Sequence, residues 1–547
     1  MTPRRESTRW DYVIVGGGSA GCVLAHRLSQ DPRHRVLLLE AGPRDWAPQI
    51  HFPAAGLWGS LPMWTLAGEP DASLRGESLR WAGGRVLGGT SSVNGMVWVR
   101  GDPREFDAWA EAGCRGWDYA SVLPYFKRAE SWEEGETAYR GGTGPIATCR
   151  QRVRHFLTDA FVAAAREAGF PGNPDYNAER QEGVGYGQVN QRRGFRQSTA
   201  RTYLGSARGR RNLAVWTRAE VLRILFEGTR AVGVEVERGG RALEARAAKE
   251  VVVSAGALGS PLLLMRSGIG PAAGLARHGI AVVADLRGVG ENLQEHVVVT
   301  TVWDVNVPTL NRDLRPLPML KHGLDFLLRG RGAIAAGLDH AMLFATLDPA
   351  VRHSQIETWF APFVVRAGQA TEILGRQGAS RLVLGRRDQV MACTTLVHPR
   401  CRGRVALRSA RREDPPVVEL ALLADPSDVD DLVRGSRAID RIFRQPSFRR
   451  YAVGRCEPAP EVLSDAAWAE HVRGTARSGL HAVGTCAMGA AGDTAAVVDP
   501  ELRVRGVAAL RVIDASVIPR IPCGNTNAPT IMVAERGADR ILQARAG

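Results

Sequence analysis

Residues 11–30, DYVIVGGGSAGCVLAHRLSQ, decide the fold. Residues 11–15 are a short β-branched run that stops at glycine, which predicts a buried strand. Gly16, Gly18 and Gly21 then spell G-x-G-x-x-G. Residues 22–30 carry helical apolar periodicity and stop at Asp31-Pro32. VLLLE at 36–40 predicts a second buried strand. Strand, glycine turn, helix and strand make a βαβ unit on a parallel sheet. Each part has a task in holding a dinucleotide. Gly16 permits the tight turn, Gly18 lets backbone approach a pyrophosphate, and Gly21 lets helix pack on strand. Ser19 and Ala20 open the helix whose N–H groups face phosphate oxygens. Glu40 lies 19 residues beyond Gly21, at the end of the second strand. A carboxylate there accepts from both ribose hydroxyls and repels a 2′-phosphate, which disfavours an NADP-type ligand.

Moving outward, 212–217, 221–228, 231–240 and 241–256 read as successive strands, with a hairpin turn at Gly239-Gly240. Residues 258–266 read as a helix. Gly268, Gly270 and Gly274 imitate the fingerprint, but they follow a helix and Pro271 removes an N–H. They predict a helix-ending loop, so one nucleotide serves the chain. NAD would call for a separate compact catalytic domain. FAD needs its ring enclosed by chain from several places, which suits glycine motifs scattered to the C-terminus.

At 547 residues two or three domains are expected. No apolar run reaches the roughly 18 residues of a membrane span. Nothing at the N-terminus resembles a signal peptide, and the eight cysteines form no C-x-x-C. A reduced, cytoplasmic setting is the expectation. The net charge of +14 and pI near 10.0 would suit nucleic acid or an anionic membrane surface. The basic residues are spread along the chain, however, and lysine occurs only at 127, 249 and 321. Aromatics are not interleaved with them, so no nucleic-acid partner is expected. The basic stretch 384–390 reads as a loop. No metal-ligand spacing occurs.

GGRVLGGTSSVNGMVWVRGDPREFDAW (83–109) resembles the first signature of the glucose–methanol–choline (GMC) oxidoreductase family. GALGSPLLLMRSGIGP (256–271) resembles the second. GVGENLQEH (288–296), HPRCRGRVALRS (398–409), HAVGTCAMG (481–489) and residues 510–541 are similar to further family blocks, in the same order. The resemblance implies an α/β fold. A Rossmann-like FAD domain is built from 8–155, 198–302 and 472–547, and a substrate domain on an antiparallel sheet from 156–197 and 303–471. Within it, Arg85 and Gly89 belong to the segment that wraps the cofactor. Asn94, Gly95, Met96 and Val97 run along the flavin and pyrophosphate. Val221 holds the adenine through its backbone, and Asp514, Asn525 and Thr526 close the site. Some relatives attach flavin through a histidine in the first signature. Val93 stands there, so FAD is expected to be non-covalent.

SGLHAVGTCAMG (478–489) sets one imidazole among small residues. Such residues let chain lie against a flat ring. By resemblance His481 is the catalytic base and Asn525 the second catalytic group, with Asn527 as the alternative if the loop register differs. Alcohol oxidation needs a proton acceptor near neutral pH, which imidazole supplies, while a hydride leaves for flavin N5. Asn525 can donate to the developing alkoxide. A core histidine bonded to backbone is the competing reading. His296, His340 and His398 are expected to be structural, and nothing near Cys486 suggests an activated thiolate.

The expected reaction is oxidation of a primary alcohol to the aldehyde, with electrons passing to oxygen, a quinone or another acceptor. The alternatives carry FAD without alcohol oxidation: a hydroxynitrile lyase or a fatty-acid photodecarboxylase. Residues 334–349 and 356–368 are expected to line the pocket. A choline-type substrate would need carboxylate and aromatic groups, for which Asp339, Glu357 and Trp359 are candidates. An uncharged alcohol fits the sequence equally. A monomer or homodimer is expected.

Overall fold

A computed structural model describes residues 8–54, 61–313, 315–351, 353–364 and 387–544. Strand Thr8–Val15 leads through the glycine turn into helix Ser19–Leu28 and back to strand Val36–Glu40. The two strands pair in parallel. Leu213–Thr217 extends the sheet beyond Val36–Glu40, and the long strand Arg241–Val253 flanks Thr8–Val15 on the other side. That strand has two partners along its far edge. Its first half pairs with antiparallel Arg230–Arg238 and its end with parallel Leu510–Val512. Gly239 and Gly240, at φ +60° and +72°, make the tight hairpin turn expected of them.

Two glycines of the fingerprint are sterically obligatory. A Cβ on Gly21 would lie 1.9 Å from the carbonyl oxygen of Gly16, and one on Gly16 2.3 Å from that of Ser254. The helix can settle on its strand only without them. Gly268 ends helix Gly256–Arg266, and helix Ala272–Arg277 follows, so the imitation fingerprint opens no βαβ unit.

The second sheet is wholly antiparallel, in the order Ala452–Glu457, Val297–Val305, Gln389–Leu396, Ile356–Ala361, Ala341–Ala345, Gly183–Tyr186. Strand Val297–Val305 belongs to it whole, so the division expected at 302 falls inside a strand. Residues 384–386 and 365–368 lie outside the described residues. Gln389 and Val390, read as part of a basic loop, instead begin a buried strand. The C-terminal segment also forms the long helix Asn527–Gln543. Its buried Ile531, Met532, Val533 and Ala534 are apolar on successive positions, which hides helical periodicity.

The period-two alternation of the antiparallel sheet positions the site. Ala341, Leu343, Ile356 and Phe360 face helices Phe156–Glu167 and Pro426–Phe443, where Phe161 stacks on Phe360 at 4.5 Å. Met342, Phe344 and Trp359 face the other way, onto Val97 and Val99 of the first-signature segment.

Candidate active site

Glu40 ties the glycine turn to the end of the second strand. Its Oε2 accepts the Gly17 N–H at 2.9 Å and its Oε1 the Gly42 N–H at 2.7 Å. Burial pushes its pKa up to about 7, against the pull of those two bonds. The Gly42 carbonyl in turn accepts from Arg218 N–H. This ties in strand Ala219–Glu227, whose pairing slips between Val221 and Arg223. Arg85 pairs with Glu220 at 2.9 Å on the rim. Glu40→Gln would place an NH₂ against one of the two backbone N–H groups. It is expected to weaken FAD binding about tenfold, measured by titrating the apoprotein with FAD.

Two helix N-termini converge next to the glycine turn. Ser19 Oγ donates to Asn527 Oδ1 at 2.9 Å, joining the first turns of Ser19–Leu28 and Asn527–Gln543. A Cβ on Gly18 would meet nothing nearer than Gly89 Cα at 3.9 Å, and one on Gly256 would meet nothing within 4 Å. Gly89, at φ +53°, comes so close that its own Cβ would lie 2.6 Å from Gly18 Cα. The Nδ2 of Asn527 is buried without a partner among the described residues. Paired helix ends, bare glycines and an orphaned donor fit the pyrophosphate of a dinucleotide such as FAD. Asp514 is different. Its carboxylate accepts from Gly256 N, Ser260 Oγ, Ser516 N and Ser516 Oγ, so it braces the loops. Thr526 caps the C-terminal helix from an αR conformation, and its carbonyl accepts from Thr530.

Residues 94–97 form a held loop. Asn94 Oδ1 accepts from Met96 N–H, and Met96 sits at φ +67°, a strained value for a side chain of its size. Asn190 N–H donates to the Met96 carbonyl, and Val97 bridges to Val189. Gly95 faces Leu338, which would lie 3.4 Å from an added Cβ. Arg196, which nothing in the sequence singles out, braces this loop. It is buried and donates to the carbonyls of Ile50 and Asn94 and to Asn94 Oδ1. No carboxylate among the described residues neutralises it, and burial lowers its pKa to about 9. Val93 offers no nucleophile to a flavin.

His481 and Asn525 come together. Asn525 Nδ2 lies 3.0 Å from His481 Nε2. Asn527 is turned away onto Ser19, which leaves Asn525 as the amide that faces the histidine. His481 Nδ1 lies 3.0 Å from His296 Nδ1, and His296 Nε2 lies 3.1 Å from the Val397 carbonyl. A carbonyl only accepts, so His296 carries its proton on Nε2 and presents a lone pair at Nδ1. His481 must then hold its proton on Nδ1 and leave Nε2 bare toward Asn525. Reversing the order of donors along this chain would set a lone pair of His296 Nε2 against the Val397 oxygen. Buried Glu295 fixes both backbones: its Oε1 accepts the N–H of His296 and of His481, each at 2.8 Å. Gly479 makes room, since a Cβ there would lie 3.1 Å from His481 Nδ1. Burial lowers the His481 pKa to about 4.

His398 pairs with Glu105 at 2.5 Å, and Glu105 also accepts from Cys523 N–H, so this histidine braces the segment before Asn525. His340 is buried against Phe363, and burial pushes the Cys486 thiol far above its usual range. Glu357 shares the site-facing side of its strand with Trp359. Its Oε2 is buried without a partner among the described residues and lies 3.7 Å from where a Cβ on Gly524 would stand, one residue from Asn525. Burial and the nearby Asp339 push its pKa up to about 8, and burial does the same to Asp339. Of the acids the sequence offered, Glu357 stands on a strand whose alternation turns it toward Gly524, and Asp339, in the loop before strand Ala341–Ala345, lies near enough to act on it.

Family models of GMC oxidoreductases match residues 10–298 (N-terminal part) and 399–534 (C-terminal part). The chain is 40 % identical over 546 residues to an oxygen-dependent choline dehydrogenase of Photobacterium profundum, covering 98 % of this chain and 93 % of that one. It is 41 % identical to the mitochondrial choline dehydrogenase of Homo sapiens, covering 97 % and 89 %. Among solved structures, pyridoxine 4-oxidase from Mesorbium loti superposes with a TM-score of 0.85 at 30 % identity, covering 97 % of this chain and 98 % of that one. An FAD-dependent oxidoreductase from Chaetomium thermophilum gives 0.88 at 26 % identity, covering 98 % and 100 %.

Proposed function

The chain belongs to the GMC oxidoreductase family, as an FAD-dependent enzyme acting on alcohols, and from that premise we propose that His481 Nε2 is the base that takes the hydroxyl proton. The observation that carries this reading is the fixed chain Asn525, His481, His296, Val397 carbonyl. It presents the one lone pair a base needs, aimed at the side where Asn525 stands. As the hydroxyl proton moves to Nε2, Asn525 Nδ2 loses its acceptor and is free to donate to the alkoxide oxygen. The imidazolium keeps its Nδ1–H on His296 Nδ1, and Glu295 holds both histidine backbones still. FAD, when bound, supplies the acceptor for the hydride that leaves the same carbon. The product is the aldehyde.

Glu357, next to the Asn525 loop, and the neighbouring Asp339 support a narrower substrate class. Two buried carboxyl groups without a cationic partner are costly unless a cation joins them. An alcohol bearing a cationic nitrogen supplies it, with Trp359 on the same face as Glu357. The likeness to choline dehydrogenases agrees.

The experiment is anaerobic. Choline, a primary amino alcohol and benzyl alcohol are added separately to the flavin-loaded protein, and the flavin absorbance is followed. Bleaching by any of them supports alcohol oxidation. Bleaching by none, with dithionite still effective, would reject it for these substrates. Glu357→Gln is expected to raise KM for the cationic alcohols about tenfold and to leave KM for benzyl alcohol unchanged. The pH dependence has a sign. Both acids are neutral below about 8 and ionise above it. KM for a cationic alcohol should therefore fall as pH rises toward that value, and KM for benzyl alcohol should not.

A further inference from the structure

Helix Pro316–Arg329 carries five exposed leucines: Leu317, Leu320, Leu324, Leu327 and Leu328, each 61 to 82 % exposed. They are five of the eleven large exposed apolar side chains among the described residues. At about 100° per residue they fall within an arc of roughly 100°. Phe326, on the opposite side, packs on Phe52 and Phe195 at 5.4 and 4.9 Å and fastens the helix to the protein. Among the described residues nothing covers the leucine stripe. Solvated surface rarely concentrates apolar side chains this way.

The surroundings of the stripe are basic. Residues 312–331 hold five basic and two acidic side chains, and Lys321 stands at the edge of the leucine arc. A groove of about 830 Å³ is lined by Phe195 together with Arg192, Arg193 and Arg201. None of these three arginines forms an ion pair among the described residues. Phe195 belongs to both features, lining the groove and packing on Phe326.

We infer that this face docks on the anionic surface of a lipid bilayer, with the leucines in the interfacial layer and the arginine groove on the headgroups. An apolar stripe rimmed by cations is the pattern of an interfacial helix, and its long basic stems reach headgroups while the leucines submerge. A second copy of the chain would bring the same positive rim and a net charge of +14 against this one, which opposes self-association here. The helix also borders the site. The chain that leaves it, at Ala335, accepts from Gln191 Nε2, and Leu338 lies against Gly95. Docking would set the membrane beside the flavin loop.

The test is flotation of the flavin-loaded full chain with vesicles of phosphatidylcholine alone and of equimolar phosphatidylcholine and phosphatidylglycerol. Wild type should float with the anionic vesicles, remain behind with the neutral ones, and be released by high salt. Leu320→Glu with Leu324→Glu should lower the bound fraction about tenfold or more, with flavin content and alcohol oxidation unchanged. Arg192→Glu with Arg193→Glu should remove the preference for phosphatidylglycerol. Three results would overturn the inference. The first is wild type left in the unbound fraction at every composition. The second is a leucine variant that floats like wild type. The third is a wild-type dimer, seen without vesicles, that the leucine variant converts to monomer, which would assign the face to a second copy. Should the double variant lose its flavin, Leu327→Asn and the arginine pair put the same inference to the test.

Discussion

In the His481→Ala protein, flavin reduction by alcohol should slow by about 10²–10⁴ while FAD stays bound. In the proposed reaction, binding and chemistry rest on different residues. Among the described residues the ring nitrogens of His481 meet only Asn525 and His296, and not Glu40, the glycine turn or the helix ends that fit the dinucleotide. Removing the ring would take away the proposed proton acceptor and leave the glycine turn and helix ends intact. Stopped-flow reduction under anaerobic conditions reads the first quantity, and the flavin absorbance of the purified protein reads the second. Reduction at the wild-type rate would remove His481 from the mechanism. Loss of flavin would make it a structural residue instead.

The pH profile follows from the same environment. As the proposed base, His481 can act only in its neutral form. Burial disfavours the charged form and lowers the pKa from 6.5 to about 4. The base therefore stays competent through mildly acidic pH and is lost as pH falls toward 4. An exposed imidazole would already be half protonated near pH ~6.5. Single-turnover reduction by benzyl alcohol isolates this limb, because the substrate itself does not ionise.

The two halves of the molecule were unequally legible in the sequence. The βαβ unit was plain because each glycine has a steric reason that spacing alone expresses: Gly16 under Ser254, Gly21 under Gly16. Asn94, His481 and Asn525 were legible only through resemblance, since no local pattern joins a loop at 94 to loops at 481 and 525. His296 was read as structural. Its part in the site depends on a 3.0 Å contact across 185 residues of chain and on a carbonyl from a third segment. Arg196 and Glu295 gave no sign, because an arginine bonded to carbonyls and a glutamate bonded to N–H groups follow no residue pattern. The leucine stripe of Pro316–Arg329 was hidden for another reason. In sequence it is an ordinary amphipathic helix, and only the fold shows that Phe326, on the other side, is the face that packs.

His296→Leu should slow alcohol-dependent flavin reduction by about 10–10², and His296→Asn should recover most of the rate. Tautomers decide this, rather than contact. In wild type the Val397 carbonyl holds the His296 proton on Nε2, which leaves Nδ1 to accept from His481 Nδ1–H. Leucine fills the volume but accepts nothing. His481 Nδ1–H would then be buried without a partner, and the ring would favour the tautomer with its proton on Nε2, where it cannot act as a base. The imidazolium formed in the reaction would also lose its acceptor, so the transition state suffers as well as the resting state. Asparagine places an amide oxygen near the former Nδ1 and restores an acceptor. A purely structural role for His296 predicts the reverse order, with leucine tolerated and asparagine not, because an amide buried without full bonding costs more than an apolar side chain. The acid limb of the pH profile gives a second reading: it should move to higher pH in the leucine variant only if the ring turns outward to solvent, and it should stay near wild type with asparagine.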